Sequence, residues 1–282
     1  MKDAGGPPKV SLPIPFEVVG LVPAAGMATR LQPFPCSKEI YPVGFAIDAK
    51  TGKPRPKVAA HYLLEKFRVA GITKTFLVIK EGKWDIPNYF REGNLVGLSL
   101  AYVVIAGSLG PPDTLDLAYP FIEAKRVAFG FPDILFGPED AYRQLIAQQE
   151  QTVADVVLGL HEIEDPRVWD MVDCDEAGCV RNLVMKPAST NLTYGWCCAV
   201  WTPAFTEFLH SFLRADETRR NLDRLASKAN DSGGDLAVGV VFQAALKAGL
   251  SIHSVKFPGE RYLDIGTPEN LAKAVRQFSQ LE

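Results

Sequence analysis

The clearest hydrophobic pattern in the chain is the apolar run from Val18 to Val22, which stops at Pro23-Ala24-Ala25-Gly26. A short run of this kind, bounded by small residues, predicts a strand buried on both faces that feeds a loop. From Lys57 to Ala70 the apolar residues Val58, Leu63, Leu64, Phe67 and Val69 recur at helical spacing, and Gly71 is placed to end the helix. Strands are predicted at Thr75–Ile79, Leu98–Ile105 and Arg126–Gly130, with a helix over Leu115–Ile122 between the last two. Further strands are expected at Val153–Leu160, Val180–Met185, Gly195–Trp201 and Ser251–Val255. Helices fit Pro203–Leu213, Leu236–Ala248 and Pro268–Phe278, the last with Thr267 as N-cap and Pro268 at the first helical position. The stretch Gly44–Pro56, with Thr51-Gly52 as a turn, reads as an exposed excursion. Its Lys50, Lys53 and Arg55, with Lys57 beyond, form a solvated basic loop, although the same cations suit phosphate.

Strand and helix alternate through the first half, which implies an α/β fold with a parallel sheet covered on both faces. Ligands of such sheets bind beyond the carboxyl ends of the strands. With 282 residues, 47% of them hydrophobic and 22% charged, the chain can bury a large core without disulfides. A formal net charge of -3 argues against a general nucleic-acid binder. No run approaches the about 18 apolar residues of a membrane span. Residues 1–15, MKDAGGPPKVSLPIP, lack a signal-peptide core and read as a flexible tail before a single domain over 16–282. Five cysteines without a CxxC pair suggest reduced thiols and a cytoplasmic protein. The four histidines are scattered, so a histidine metal site is not expected.

The most informative chemistry lies in Gly20 to Leu31. Small residues after a buried strand let backbone N–H groups approach a phosphate chain closely. Arg30 follows at once, and Lys38 stands before Tyr41-Pro42-Val43. Neither the Walker spacing GxxxxGK[ST] nor the dinucleotide fingerprint GxGxxG is present. Read alone, the segment also fits a plain strand-to-loop turn with two surface cations, although the phosphate reading is favoured.

Taken together, the motifs resemble those of the sugar-phosphate nucleotidylyltransferases. Pro23-Ala-Ala-Gly-Met-Ala-Thr-Arg-Leu-x-Pro, followed by Ser37-Lys38-Glu39-x-x-Pro42-Val43, is similar to that family's signature, closest to the UTP–glucose-1-phosphate uridylyltransferase and glucose-1-phosphate thymidylyltransferase branches. Phe129-Gly-Phe-Pro-Asp133 resembles its metal-binding strand end, Val184-Met-Lys186-Pro187 its Glu-Lys-Pro motif, and Tyr262-Leu-Asp264-Ile-Gly-Thr-Pro its near-terminal motif. The resemblance implies a Rossmann-like, mostly parallel sheet flanked by helices, with a smaller sugar-binding lobe. The nucleotide part would span about 16–150 and the acceptor part about 151–282. It implies a reaction in which a nucleoside triphosphate and a sugar 1-phosphate give a nucleotide sugar and pyrophosphate, with Mg²⁺ as cofactor. Arg30, Lys38 and Asp133 would be catalytic, and Asp133 and Asp264 would hold the metal. Nucleotide contacts would fall on Ala24, Ala25, Gly26, Met27, Ala28, Thr29, Arg30 and Lys38. Acceptor contacts would fall on Asp170, Met185, Lys186, Gly195 and Tyr262. The family is often oligomeric, so a homo-oligomer is one option, but no stretch of the chain declares an interface.

The chain departs from the pattern at telling places. Ala28 replaces a second glycine, so the loop must either avoid positive φ or bear strain. Met185 replaces the glutamate of Glu-Lys-Pro, and Trp169-Asp170-Met171 replaces a Tyr-Gly-Val-like segment. Thr114 stands near an expected Gly-Leu-Ala turn, and the base-reading glutamine is missing. These changes leave base and sugar open. They also keep two alternatives: a non-catalytic nucleotide or sugar-phosphate sensor, and a cytidylyltransferase acting on phosphocholine or another small phosphate ester. Structural readings stand beside the chemical ones. Asp133 fits a turn after Pro132, Asp264 a support for the last helix, and Lys186 an exposed loop. Tyr194, Trp196 and Trp201 fit buried strand positions as well as a sugar pocket, and Cys36 an incidental loop thiol.

Overall fold

In a computed structural model that describes residues 16–48, 51–215 and 236–278, the first apolar run forms β1 (Val18–Ala24). It pairs in parallel on one side with β4 (Lys74–Lys80), which pairs in parallel with β5 (Ser99–Ile105). On its other side lies β6 (Arg126–Gly130), again parallel. Beyond β6 the direction changes. β11 (Tyr194–Trp201) runs antiparallel to both β6 and β8 (Val156–Glu162), and β12 (Ile252–Lys256) joins β8 in parallel. β9 (Met171–Cys174) and β10 (Val180–Val184) form an antiparallel pair attached where Met171 meets Gly195. The nine strands make one mixed sheet whose parallel half matches the expected α/β architecture.

Helices cover both faces, which is why the central strands are apolar at consecutive positions. Against one face, Pro203–Arg214 and Val238–Lys247 pack with Trp201, Phe205 and Phe242 around Phe129. Against the other, Ala59–Val69 and Ala141–Thr152 bring Phe67 and Tyr142 together, with the Tyr142 hydroxyl donating to the Phe129 carbonyl at 2.9 Å.

Several boundaries differ from the sequence expectation, each for a local reason. Gly44–Pro56 is no loose excursion: β2 (Pro42–Ile47) and β3 (Pro54–Val58) form a hairpin closed by Asp48, whose carboxylate takes the Thr51 N–H and hydroxyl. Lys57 therefore belongs to a strand. It is buried, paired with Glu65 at 2.8 Å, and is not part of a solvated loop. Lys50 and residues 1–15 lie outside the described residues. The helix expected over Leu115–Ile122 is two short helices, Pro111–Asp116 and Tyr119–Ile122, since Pro120 cannot continue the hydrogen-bond ladder. Val153 does not open a strand. It terminates Ala141–Thr152 in the left-handed conformation, is 85% exposed, and the strand starts at Val156.

Two three-residue strands carry the most weight for the site. β7 (Ile134–Phe136) pairs antiparallel with β13 (Tyr262–Asp264), so residues 126 to 130 positions apart in sequence meet side by side. Leu135 and Leu263 bury one face of this pair against Val43 and Ala274 of the last helix. That helix begins as expected, with Thr267 Oγ1 accepting the Asn270 N–H at 3.3 Å.

Candidate active site

Where β1 ends, the chain turns through Ala25, Gly26 and Met27 into a single 3₁₀ turn, Thr29–Leu31. The turn requires Ala28 at φ 51° and ψ 40°, in the left-handed region. That conformation costs an L-residue roughly 1–2 kcal/mol, so the loop bears the strain. Ala28→Gly is expected to raise stability by up to about 1 kcal/mol, the relief being partly offset by the freer unfolded chain. Urea denaturation would read this as a higher midpoint at unchanged slope.

The loop is held from below by Lys83 and Asp85, which carry no sequence signature, acting on Glu39 and Ser37, which do. Lys83 Nζ donates to the Gly26 carbonyl at 2.9 Å and to both Glu39 oxygens at 2.8 Å. Glu39 is 1% exposed, and burial pushes its carboxyl upward while Lys83 opposes the shift. Asp85 accepts both the Ser37 N–H and hydroxyl at 2.7 Å. Ser37-Lys38-Glu39 is thus pinned on either side of Lys38. Burial and the Asp85 and Glu39 carboxylates push the Cys36 thiol up, which makes it a poor nucleophile.

Lys38 Nζ reaches Asp133 Oδ2 at 2.5 Å. Burial works against the ammonium, but Asp133, Glu39 and Asp264 outweigh it and hold the lysine above its ordinary value. The β7–β13 pairing places Asp264 beside Asp133, with the Ile265 N–H donating to the Asp133 carbonyl at 3.0 Å. Burial and the Asp133 charge push Asp264 above the ordinary aspartate range. Its Oδ1 accepts the Gly266 N–H at 2.7 Å. The Arg30 guanidinium lies so close that a Cβ on Gly266 would fall 2.7 Å from it. Four charged groups from four separate segments therefore share one partly dry site.

This cluster opens into a cavity of about 580 Å³. Ala25, Gly26, Met27, Arg30, Lys38, Asp133 and Asp264 line one end. Trp169, Asp170, Lys186 and Trp196 line another part, and Thr114 also belongs to the lining. Lys186 has φ 40°, an unusual conformation for a residue before Pro187. Of the remaining candidates, Ala24 is buried in β1, and Ala28 and Thr29 shape the turn without lining the cavity. Met185 packs on the apolar core, and Gly195 lets the Asp170 carbonyl and Ile163 approach closely. Tyr262 accepts the Glu164 N–H at 3.0 Å and packs edge-on against Trp169, away from the lining. Trp201 is fully buried and donates to Thr206, and Tyr194 lies beside Lys256. Among the described residues no group of three or more His, Cys, Asp or Glu could hold a metal, so Asp133 and Asp264 stand as a pair. No helix among those residues is long and apolar enough to cross a membrane.

No protein-family profile matches the chain. A low-salt glycan biosynthesis nucleotidyltransferase of Haloferax volcanii is 24% identical over 260 residues, which is 90% of this chain and 64% of that one. A glucose-1-phosphate thymidylyltransferase of Streptomyces griseus is 27% identical over 172 residues, covering 60% of this chain and 44% of the relative. The chain thus spans less than two thirds of the length of both curated relatives. Among solved structures, a Bacillus anthracis protein assigned as a glucose-1-phosphate thymidylyltransferase, in complex with sucrose, superposes with a TM-score of 0.76 at 17% identity, covering 94% of this chain and 96% of that one. In sequence the chain is a homologue of this glycan biosynthesis nucleotidyltransferase and this glucose-1-phosphate thymidylyltransferase, and it shares the α/β fold of the solved structure.

Proposed function

We propose that the chain is a Mg²⁺-dependent nucleotidylyltransferase that joins a nucleoside triphosphate to a sugar 1-phosphate and releases pyrophosphate. The observation that carries this reading is the continuity of one cavity, from the Ala25–Met27 loop past Arg30, Lys38, Asp133 and Asp264 to Asp170 and Lys186. The triphosphate lies against the loop, where backbone N–H groups and Arg30 meet its oxygens. Lys186 holds the acceptor's phosphate at the opposite side of the α-phosphorus. That phosphate is already anionic near neutral pH, its second pKa being about 6, so no general base is needed. An acceptor oxygen attacks the α-phosphorus in line, the bond to pyrophosphate breaks, and Arg30 and Lys38 neutralise the departing charge.

Asp133 and Asp264 suit a hard cation: Mg²⁺ takes one or two carboxylates and completes its shell with water and substrate phosphate. When bound there it would polarise the phosphates and offset the repulsion between the two carboxylates. Asp133 Oδ1 makes no hydrogen bond among the described residues, whereas Oδ2 is engaged by Lys38. The five free thiols suit a reducing, cytoplasmic setting.

Lys186→Ala is expected to raise the acceptor's KM by about 10- to 100-fold, the value of a lost charge-assisted hydrogen bond, while the nucleotide's KM stays nearly constant. Initial-rate kinetics with each substrate varied in turn would test this, and equal effects on both would unseat the assignment. The function itself is tested by pyrophosphate release with Mg²⁺, pairing ATP, CTP, GTP, UTP and dTTP with a panel of sugar 1-phosphates and phosphocholine. Release from a particular pair supports the reading. Nucleotide binding without release across the panel favours a sensor.

A further inference from the structure

The acceptor end of the cavity differs in character from the phosphate end. Around Asp170 the lining includes the apolar residues Val168, Trp169, Trp196, Leu236 and Val238, whereas the acidic lining residues Glu39, Asp133 and Asp264 belong to the cluster around Lys38. Met185, which stands where the resembling family carries a sugar-reading glutamate, packs on the apolar core and does not line the cavity. Asp170 is 7% exposed, and its Oδ1 is buried without a hydrogen-bond partner. A buried carboxylate with an unsatisfied oxygen is costly, so its presence calls for a compensating contact.

The surroundings fix that carboxylate in place. Asp170 immediately precedes β9, whose first residue is paired with both Val184 and Gly195. Its Oδ2 rests on the first turn of the helix Val238–Lys247, where a Cβ at Gly239 would collide with it. Helix N-termini favour negative charge. Burial pushes the Asp170 carboxyl up; the Lys186 charge, the Trp196 indole N–H and the Lys186 backbone N–H work against that shift, the indole facing the carboxylate without closing a hydrogen bond to it. Trp196 is 6% exposed, and its Nε1 likewise has no hydrogen-bond partner.

Building on the proposed transferase activity, we infer that Asp170 is the residue that reads the acceptor: its carboxylate accepts a hydrogen bond from one hydroxyl of a sugar ring whose C–H face lies on the aromatic wall. The site thus selects a sugar phosphate with one recognised hydroxyl and an otherwise apolar contact face. Trp196 and Gly239 act as positioning residues for this contact. The reading hydroxyl is one the acceptor keeps throughout the reaction, since the bond formed is at its phosphate.

Calorimetric titration tests this without requiring turnover. Glucose 1-phosphate, each of its monodeoxy analogues and inorganic phosphate are titrated into wild type, Asp170→Asn, Asp170→Ala and Gly239→Ala, with urea midpoints checking the fold. Asp170→Ala is expected to weaken glucose 1-phosphate about 10- to 100-fold and to leave inorganic phosphate unchanged. One monodeoxy analogue should bind wild type as weakly as glucose 1-phosphate binds the variant, and should lose nothing further in it. Gly239→Ala, which displaces the same carboxylate, should reproduce the loss. Equal affinity of wild type and Asp170→Ala for every analogue overturns the inference, as does a parallel loss of inorganic phosphate. If glucose 1-phosphate shows the expected pattern yet no triphosphate yields pyrophosphate, the transferase reading falls and Asp170 remains a sugar-reading residue. If neither glucose 1-phosphate nor any other member of the sugar 1-phosphate panel binds the wild type, both readings fall.

Discussion

Asp133→Asn is expected to reduce nucleotidyl transfer by about a thousandfold, the upper range for loss of one pre-organised charge at a phosphoryl site, while the protein stays folded. Asp133 is the hub of the charged cluster: it pairs with Lys38, lies beside Asp264, and its backbone ties β7 to the segment after β13. The amide keeps the shape and the backbone bond but removes the charge that aligns Lys38 and would anchor Mg²⁺. Stability should change little, because the lost ion pair is offset by relief of the repulsion on Asp264. The pH dependence gives a second readout. In the wild type the folded protein holds the Asp264 proton more tightly than the unfolded chain does. Stability therefore falls as pH rises from the ordinary aspartate range through the raised folded value. With Asp133 neutral, one cause of that elevation is gone and the fall should be shallower. Pyrophosphate-release assays and urea titrations across acid pH would measure both effects; near-normal turnover in the variant would remove Asp133 from the chemistry.

Lys83→Met should carry the largest stability cost, about 3–5 kcal/mol, the range for breaking one side of a buried ion pair. Methionine fills much of the lysine's volume, so the cost arises from Glu39, left at 1% exposure without its cation. The double variant Lys83→Met with Glu39→Gln should recover a large part of the loss, because no bare charge then remains. Burial already raises the Glu39 carboxyl, and removing Lys83 raises it further. The single variant should therefore regain stability as pH falls and Glu39 takes up its proton. Loss of the hydrogen bond to the Gly26 carbonyl should also weaken nucleotide binding. A cost below about 1 kcal/mol by urea denaturation, the level of an exposed ion pair, would show that water reaches Glu39.

The parts of this molecule that were legible in sequence are those written locally. The run Val18–Val22 stopping at small residues marks a buried strand and a phosphate-sized turn, and Thr267-Pro268 marks a helix start that the Asn270 hydrogen bond bears out. Arg30, Lys38, Asp133, Asp264 and Lys186 were suggested by motif resemblance, and the fold brings all five to one cavity. What was hidden depends on distance along the chain. The β7–β13 pair has three residues in each strand, too short for a periodic signal, yet it unites Asp133 with Asp264. Lys83 and Glu39 are 44 positions apart, and neither flanking sequence announces the other. The helix Ala141–Thr152 was missed because Arg143, Gln144, Gln148 and Glu150 mask a narrow buried stripe. Of the acceptor candidates, Asp170 and Lys186 line the cavity, whereas Met185, Gly195 and Tyr262 do not.

The most direct test of the account follows the oxygen atoms of the acceptor. A sugar 1-phosphate carrying ¹⁸O in its phosphate is incubated with the protein, Mg²⁺ and the triphosphate that supports turnover, and the products are weighed by mass spectrometry. Direct attack on the α-phosphorus predicts that every labelled oxygen appears in the nucleotide sugar, with one bridging the two phosphorus atoms and none in pyrophosphate. Label in pyrophosphate, or a nucleoside monophosphate bearing solvent oxygen with the acceptor left unchanged, would contradict transfer between the two halves of this cavity.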